Sequence, residues 1–297
     1  MNTESGISTQ SHQLGQRRSD MLKKWAGHIP AYLVLGLWSL FTLAIILWTI
    51  ITSLKSNSDL FANVWALPTK LHFENYVKAL FAVDMGKYFL NSVVVVLTSV
   101  ILILALSAPA SYILSRKTFK GRNLIMLIYI AGIGIPVPLL FIPLFVILTK
   151  FRINNTLYGL GALFIGLSLP FTVYMLTGFF GSLPIELEEA AIIDGASDFQ
   201  VFFRVMLPLG LPGLITAAIF NFISLWNEYQ LALVFLNDPN KSTLSLGLYT
   251  LSNGMEYTGD WVGLMAGVVI VMVPTIILYV ILSERMISGI TMGAVKA

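Results

Sequence analysis

Six stretches of the chain stay apolar for long enough to cross a bilayer. They are residues 29–54, 88–115, 124–149, 156–180, 209–236 and 261–283. A spanning α-helix needs about 20 predominantly apolar residues. Five of the six contain no Asp, Glu, Lys or Arg, and the fifth in order contains one, Glu228. The alternation of polar and apolar residues that marks the strands of a membrane barrel is missing. A core this small cannot hide six long apolar helices. The pattern therefore predicts an all-α membrane protein with six transmembrane helices. The first run is too long for the apolar part of a cleavable signal, and a polar stretch precedes it.

Composition agrees. The chain is 57% hydrophobic and 11% charged, where soluble domains carry about 25% charged residues. Cysteine is absent, so disulfides and thiol chemistry are excluded. The net charge of +3 is small, and its distribution is more informative. Lys and Arg gather in cytoplasmic loops. Placing the N-terminus inside puts Arg17, Arg18, Lys23, Lys24, Arg116, Lys117, Lys120, Arg122, Arg204, Arg285 and Lys296 inside. The short turn 116–122 decides the matter with four basic residues beside a membrane end. Both termini and the polar segment 182–208 are expected on the cytoplasmic side.

The expected organisation is a cytoplasmic tail (1–28), a six-span domain (29–283) and a second cytoplasmic tail (284–297). Residues 1–20 are poor in apolar side chains and read as disordered. The long outer loop 55–87 serves either as a surface for an external partner or as a connector. The third run holds Gly132, Gly134, Pro136, Pro138 and Pro143. Prolines remove donors and distort helices. Broken helices are tolerated in membranes where other helices or a cavity satisfy the backbone. This span is thus a kinked packing helix or a wall of a pathway.

The fifth run carries the most polar chemistry. Asn221, Ser224 and Glu228 fall at i, i+3 and i+7 and so share one helical face, with Trp226 and Asn227 beside them. A carboxylate in a span faces the bundle interior or water. Such a patch suits a hydroxyl-rich solute, and it equally suits an interhelical hydrogen-bond cluster.

Chemistry of the chain's own is not evident, and no catalytic residue is expected. There is no G-x-x-x-x-G-K-[ST] phosphate loop. His12, His28 and His72 lie outside the runs without metal-ligand spacing, so no metal site is expected. No His–carboxylate relay crosses the membrane, and no inverted repeat marks a self-contained transporter. The energy for any transport is expected to come from another protein, with proton coupling through Glu228 the unsupported alternative. No nucleic-acid partner is expected; membrane lipid is.

The segment 182–208 is the polar exception between two apolar runs. It concentrates Glu186, Glu188, Glu189, Asp194 and Asp198. Ser182 and Pro184 read as the start of a helix, with carboxylates at the positive end of its dipole. Gly195 ends or kinks it. Residues 198–206 form a second short helix, and Pro208 marks the entry to the fifth span. The prediction is a helix–Gly–helix hook.

The hook's spacing resembles the EAA loop of ABC-importer permeases. Glu189-Ala190-Ala191, Gly195 and Leu207-Pro208 stand at the family's positions, with Val205 where the family usually has Ile. Asn91-Ser92, the prolines of the third run, the sequence 226–229 and the tail 289–296 are similar to the carbohydrate-uptake subgroup, which includes the six-span maltose-type subunit. The resemblance implies a pathway-forming subunit of a sugar importer in a bacterial or archaeal cytoplasmic membrane. Its partners would be a second permease subunit, two cytoplasmic ATPases and a periplasmic or extracellular solute-binding protein. ATP and Mg would be bound by the ATPases and no cofactor by this chain. Glu189, Ala190, Ala191, Asp194, Gly195, Leu207 and Pro208 would couple to an ATPase. Gly289, Thr291, Gly293 and Lys296 would approach the ATPase dimer. Asn221, Ser224, Trp226, Asn227 and Glu228 would line the pathway. A permease for a polyol phosphate or a peptide, and a membrane enzyme or structural subunit, are the alternatives.

Overall fold

The computed structural model describes the backbone of residues 4–294 and the surroundings of residues 29–282, Glu256 excepted. Among the described residues the fold is helical and has no strand. Four helices are long and apolar enough to cross a membrane by themselves. They are α1 (Glu4–Ser53, apolar from Ile29), α2 (Met85–Arg116), α5 (Leu157–Ser182) and α11 (Trp261–Ala294, apolar to Leu282). Two bent pairs raise the number to six if each pair crosses once.

The first bent pair is the proline-rich third run. Here α3 (Arg122–Ile133) stops, the backbone turns by 102°, and α4 (Phe141–Lys150) follows a 3₁₀ turn at Val137–Leu140. Pro136 and Pro138 deny the backbone the donors needed to continue, so the expected distortion is a full break. The second pair joins α7 (Asp198–Leu209) to α8 (Leu211–Trp226) at 69°. Between α5 and α7 lies α6 (Glu186–Ile193). A short α9 (Gln230–Phe235) and an outer helix α10 (Leu244–Thr258) complete the path to α11.

Some elements depart from expectation. The polar tail continues α1 back to Glu4 instead of standing apart, and no proline precedes Pro30 to stop it. At the other end α11 runs past the membrane-length stretch through residue 294. Gly289, Thr291 and Gly293 lie on its backbone, but their surroundings, and all of Lys296, fall outside the described residues. The fifth run is not one helix over 209–236. It ends at Trp226, and residues 227–229 separate it from α9.

Helices α2 and α5 form the central pair, and α8 packs on both. Close approach at the α5–α8 crossing depends on small residues. A Cβ on Gly213 would lie 2.5 Å from the ring of Phe179, and one on Gly210 would lie 2.7 Å from Phe180. Membrane helices gain their association from such close packing. Two apolar cores result. One centres on Phe164, Trp226 and Phe235; the other on Tyr112, Phe180, Phe202 and Met206.

The segment between α1 and α2 folds back on the bundle. Lys55 is buried, and its Nζ donates to the carbonyl of Val64 at 2.8 Å. Asn75 donates to the carbonyls of Ser53 and Lys55. Asn57 bonds Asp260 at the start of α11. Phe61, Trp65 and Leu67 are left exposed. At the start of α2, Asn91 donates to the carbonyls of Asn240 and Ser242, and Ser92 accepts from Leu244 N at 2.7 Å. That pair therefore fastens the entry to α10.

Candidate functional site

The hook is built from α6, a turn at Gly195 and α7. Ser182 does not cap it: Ser182 ends α5 and donates to the Phe179 carbonyl. Ile185 occupies the cap position without a side-chain bond, and α6 begins at Glu186. Glu186, Glu188 and Glu189 sit in its first turn, where the helix dipole favours anions. Gly195 has φ +83°. Nothing lies near a Cβ added there, so backbone conformation rather than space calls for glycine. A capping box opens α7: Ser197 Oγ accepts from Gln200 N, and Gln200 Oε1 accepts from Ser197 N. The second hook helix is longer than residues 198–206. It passes through a π turn at Phe202–Met206 and ends at Leu209. Pro208 lies in its last turn, and the bend into α8 falls at Gly210.

The hook has two faces. Glu186, Glu189, Ala190, Ile192, Ile193, Asp194 and Phe199 are exposed. Ala191, with Leu183, Ala196, Val205 and Leu207, packs against the apolar core around Tyr112 and Phe202. Glu188 is buried on that inner side, three residues from Ala191 on the same helical face.

Sequence reasoning missed Glu188 as a separate element. Its Oε1 accepts from the Tyr112 hydroxyl at 2.8 Å and stands 3.1 Å from Lys117 Nζ. Arg116 Nε lies 3.9 Å from Oε2, and the Arg116 guanidinium donates to the Leu183 carbonyl. Lys117 Nζ also reaches Asp198 Oδ1 at 2.9 Å. The hydrogen bond to Asp198 chiefly pushes the Lys117 pKa up; burial opposes this and the bond to Glu188 adds to it. The available signal was the pairing of a basic turn, 116–122, with an acidic hook on the same side of the membrane.

The polar patch of the fifth run divides. Asn221 is buried; its Nδ2 donates to Ala217 O at 2.8 Å and to Thr172 Oγ1 of α5 at 3.0 Å. Trp226 is 2% exposed, and its Nε1 donates to Val271 O of α11. Its ring stacks on Phe222 and meets Phe89 edge-on. The helix ends before Glu228, so Glu228 does not continue the face of Asn221 and Ser224. Its carboxylate accepts from Leu231 N at 2.6 Å and Ala232 N at 3.4 Å, capping α9. Ser224 and Asn227 are exposed and, with Phe220, form the outward stripe of α8. Phe171 of α5 meets Phe220 edge-on at 6.2 Å, and Tyr174 lies one turn further along α5, also exposed. No group of three or more His, Cys, Asp or Glu is placed to hold a metal among the described residues.

Residues 105–290, which include the hook and the α5–α8 crossing, match the family model described as the binding-protein-dependent transport system inner membrane component. The chain belongs to this family, the permeases of ABC importers. The permease is 38% identical over 266 residues to the diacetylchitobiose uptake system permease protein NgcG of Streptomyces coelicolor, covering 90% of this chain and 88% of the relative. It is 30% identical over 275 residues to the probable starch degradation products transport system permease protein AmyC of Thermoanaerobacterium thermosulfurigenes, covering 91% and 98%. Its fold is similar to a chain in the crystal structure of a bacterial ABC transporter involved in the import of the acidic polysaccharide alginate. That match has a TM-score of 0.73 at 24% identity, covering 90% of this permease and 97% of the other chain.

Proposed function

We propose that this permease is the pathway-forming subunit of an importer for a sugar or oligosaccharide, driven by separate ATPases. The observation that carries the proposal is the two-faced hook: a buried, ion-paired inner side and an exposed outer side of Glu189, Ala190, Ile193 and Asp194. An outer face that combines small, apolar and acidic residues suits a cleft in a soluble partner. The saccharide class is supported by the diacetylchitobiose and starch-product systems named for the relatives. Each bent pair counts as one crossing in this reading. With six spans both termini and the hook share one side, and the basic turn 116–122 supports reading that side as the cytoplasm of a bacterial cell, with the permease in its inner membrane.

The proposed cycle is alternating access. Closure of two ATPases on ATP and Mg displaces the hook of this permease and that of a second permease subunit. The bundle then turns outward toward a solute-binding protein docked on the outer loops. Polar groups on a membrane helix face water or protein rather than lipid. Ser224 and Asn227, flanked by Phe171, Tyr174 and Phe220, are therefore the proposed pathway wall. Hydroxyl and amide groups bond sugar hydroxyls, and aromatic rings cover apolar sugar faces. Asn221, Trp226 and Glu228 support that wall through the partners described above.

Uptake of labelled oligosaccharides tests this reading. A strain lacking the permease should lose accumulation of at least one chito- or malto-oligosaccharide and recover it with the wild-type chain. Undiminished uptake of every saccharide in the panel would refute the assigned solute class.

A further inference from the structure

We propose that Glu188, rather than its exposed neighbour Glu189, is the positioning residue that joins the hook to the membrane helices. Held by Tyr112, Lys117 and Arg116, its carboxylate makes α6, α7 and the hook-side end of α2 one rigid body. The proposal rests on the importer reading, in which the hook is pulled from outside.

Burial comes first. The Glu188 side chain is 7% exposed, and a buried carboxylate is costly unless paired and hydrogen-bonded. Its three partners all come from one place, the end of α2 and the residue that follows it. Tyr112 supplies a hydroxyl at 2.8 Å, Lys117 an ammonium at 3.1 Å and Arg116 a guanidinium nitrogen at 3.9 Å. Tyr112 and Lys117 meet Oε1, while Arg116 Nε stands beyond hydrogen-bond distance of Oε2 as a charge partner only; none of the three comes from α7 or α8, so the contacts fix α6 specifically against α2.

Lys117 adds a second tie. It bridges Glu188 of α6 and Asp198 at the start of α7. The two carboxylates stand on opposite sides of the Gly195 turn, where the backbone has most freedom to flex. One ammonium therefore spans the hook's own hinge. Arg116 extends the clamp to the carbonyl of Leu183, in the connection from α5.

The polar clamp sits on an apolar one. The Tyr112 ring lies 5.2 Å from Phe202 of α7 and 6.2 Å from Phe180 of α5. Lys117 Nζ stands 6.0 Å from the centroid of the same ring. Tyr112 thus contacts both parts: its ring touches the core and its hydroxyl the carboxylate. A displacement applied to the exposed face has a packed, hydrogen-bonded route into α2. Coupling of this kind travels through contiguous packed groups. The adjacent glutamates divide the work: Glu189 is free for a partner, and Glu188 holds the hook to the body.

The chain contains no cysteine, so spin labels can be placed at will. Leu187→Cys on α6, outside the docking residues named above, and Ile113→Cys on α2 are both at exposed positions. In the complex assembled with its ATPase, the distance between the two labels should be narrow. It should stay at the same value when ATP and Mg are added. Replacing Glu188 and Tyr112 together (Glu188→Gln with Tyr112→Phe) should abolish the narrow peak. Tyr112→Phe alone keeps the ring and removes only the hydroxyl, so it serves if the double variant fails to fold, and it should also broaden the distribution. A wild-type distance that changes with ATP, or a peak that stays narrow in the variants, would overturn the joint. The same label pair is read in the permease without ATPase. Failure of ATPase capture would therefore count against the importer reading while the test of the joint still stands.

Discussion

Glu188→Ala should destabilise the permease by about 3 kcal/mol or more, whereas Glu189→Ala should leave stability within about 0.5 kcal/mol. Truncating one partner of a buried ion pair leaves the other charge without compensation. Arg116 is as buried as Glu188, with its side chain 7% exposed. Lys117 keeps Asp198 and some solvent, so the loss falls mainly on Arg116 and on the Tyr112 hydroxyl. Glu189 lies on the exposed face of the same helix, where truncation removes little. Thermal unfolding of the two purified variants against wild type measures the contrast. Equal midpoints for all three proteins would show that Glu188 carries no structural load.

Trp226→Ala should cost about 3–5 kcal/mol. The side chain is fully packed, stacks on Phe222 and donates its indole N–H to Val271 O. Truncation leaves a large void and removes the indole's hydrogen bond to that carbonyl. Lipid tails are themselves apolar, so the loss is one of dispersion contacts and the hydrogen bond rather than of water exclusion. Uptake should then fall in proportion to the folded permease that remains in the membrane. Ser224→Ala and Asn227→Ala should show the reverse: normal amounts of folded protein with weakened uptake. Uptake per folded molecule, with thermal stability on the same samples, separates the two classes. Impaired uptake in a fully stable Trp226→Ala protein would return the indole to the pathway.

Much of this was legible before any coordinates. Apolar run length is a strong signal because the bilayer sets it: four runs became single membrane-length helices, and the third and fifth are helical but broken. Gly195 and the prolines of the third run were readable because each restricts the backbone by itself. Side-chain orientation was less accessible. Asn221, Ser224 and Glu228 share a face only if the helix continues, and nothing local in 227–229 announced that it stops. Glu188 and Glu189 are neighbours of one residue type, and only the packing of α6 on α2 assigns one inward and one outward. The outer helix α10 had a readable cap in Thr243 and a stop in Gly259, at φ +63°. Its mixed composition hid it between two obvious spans.

The most direct test of the account is affinity capture of the cognate ATPase on the tagged permease, with wild type and Glu189→Lys in parallel. Glu189 is exposed, so the substitution reverses a charge on the docking face without touching the Glu188 joint. The wild-type permease should retain the ATPase. Glu189→Lys should lose most of it while keeping the wild-type unfolding midpoint. An ATPase that never associates with the wild-type chain, or one held equally by both proteins, would contradict the assignment of this hook as the coupling element.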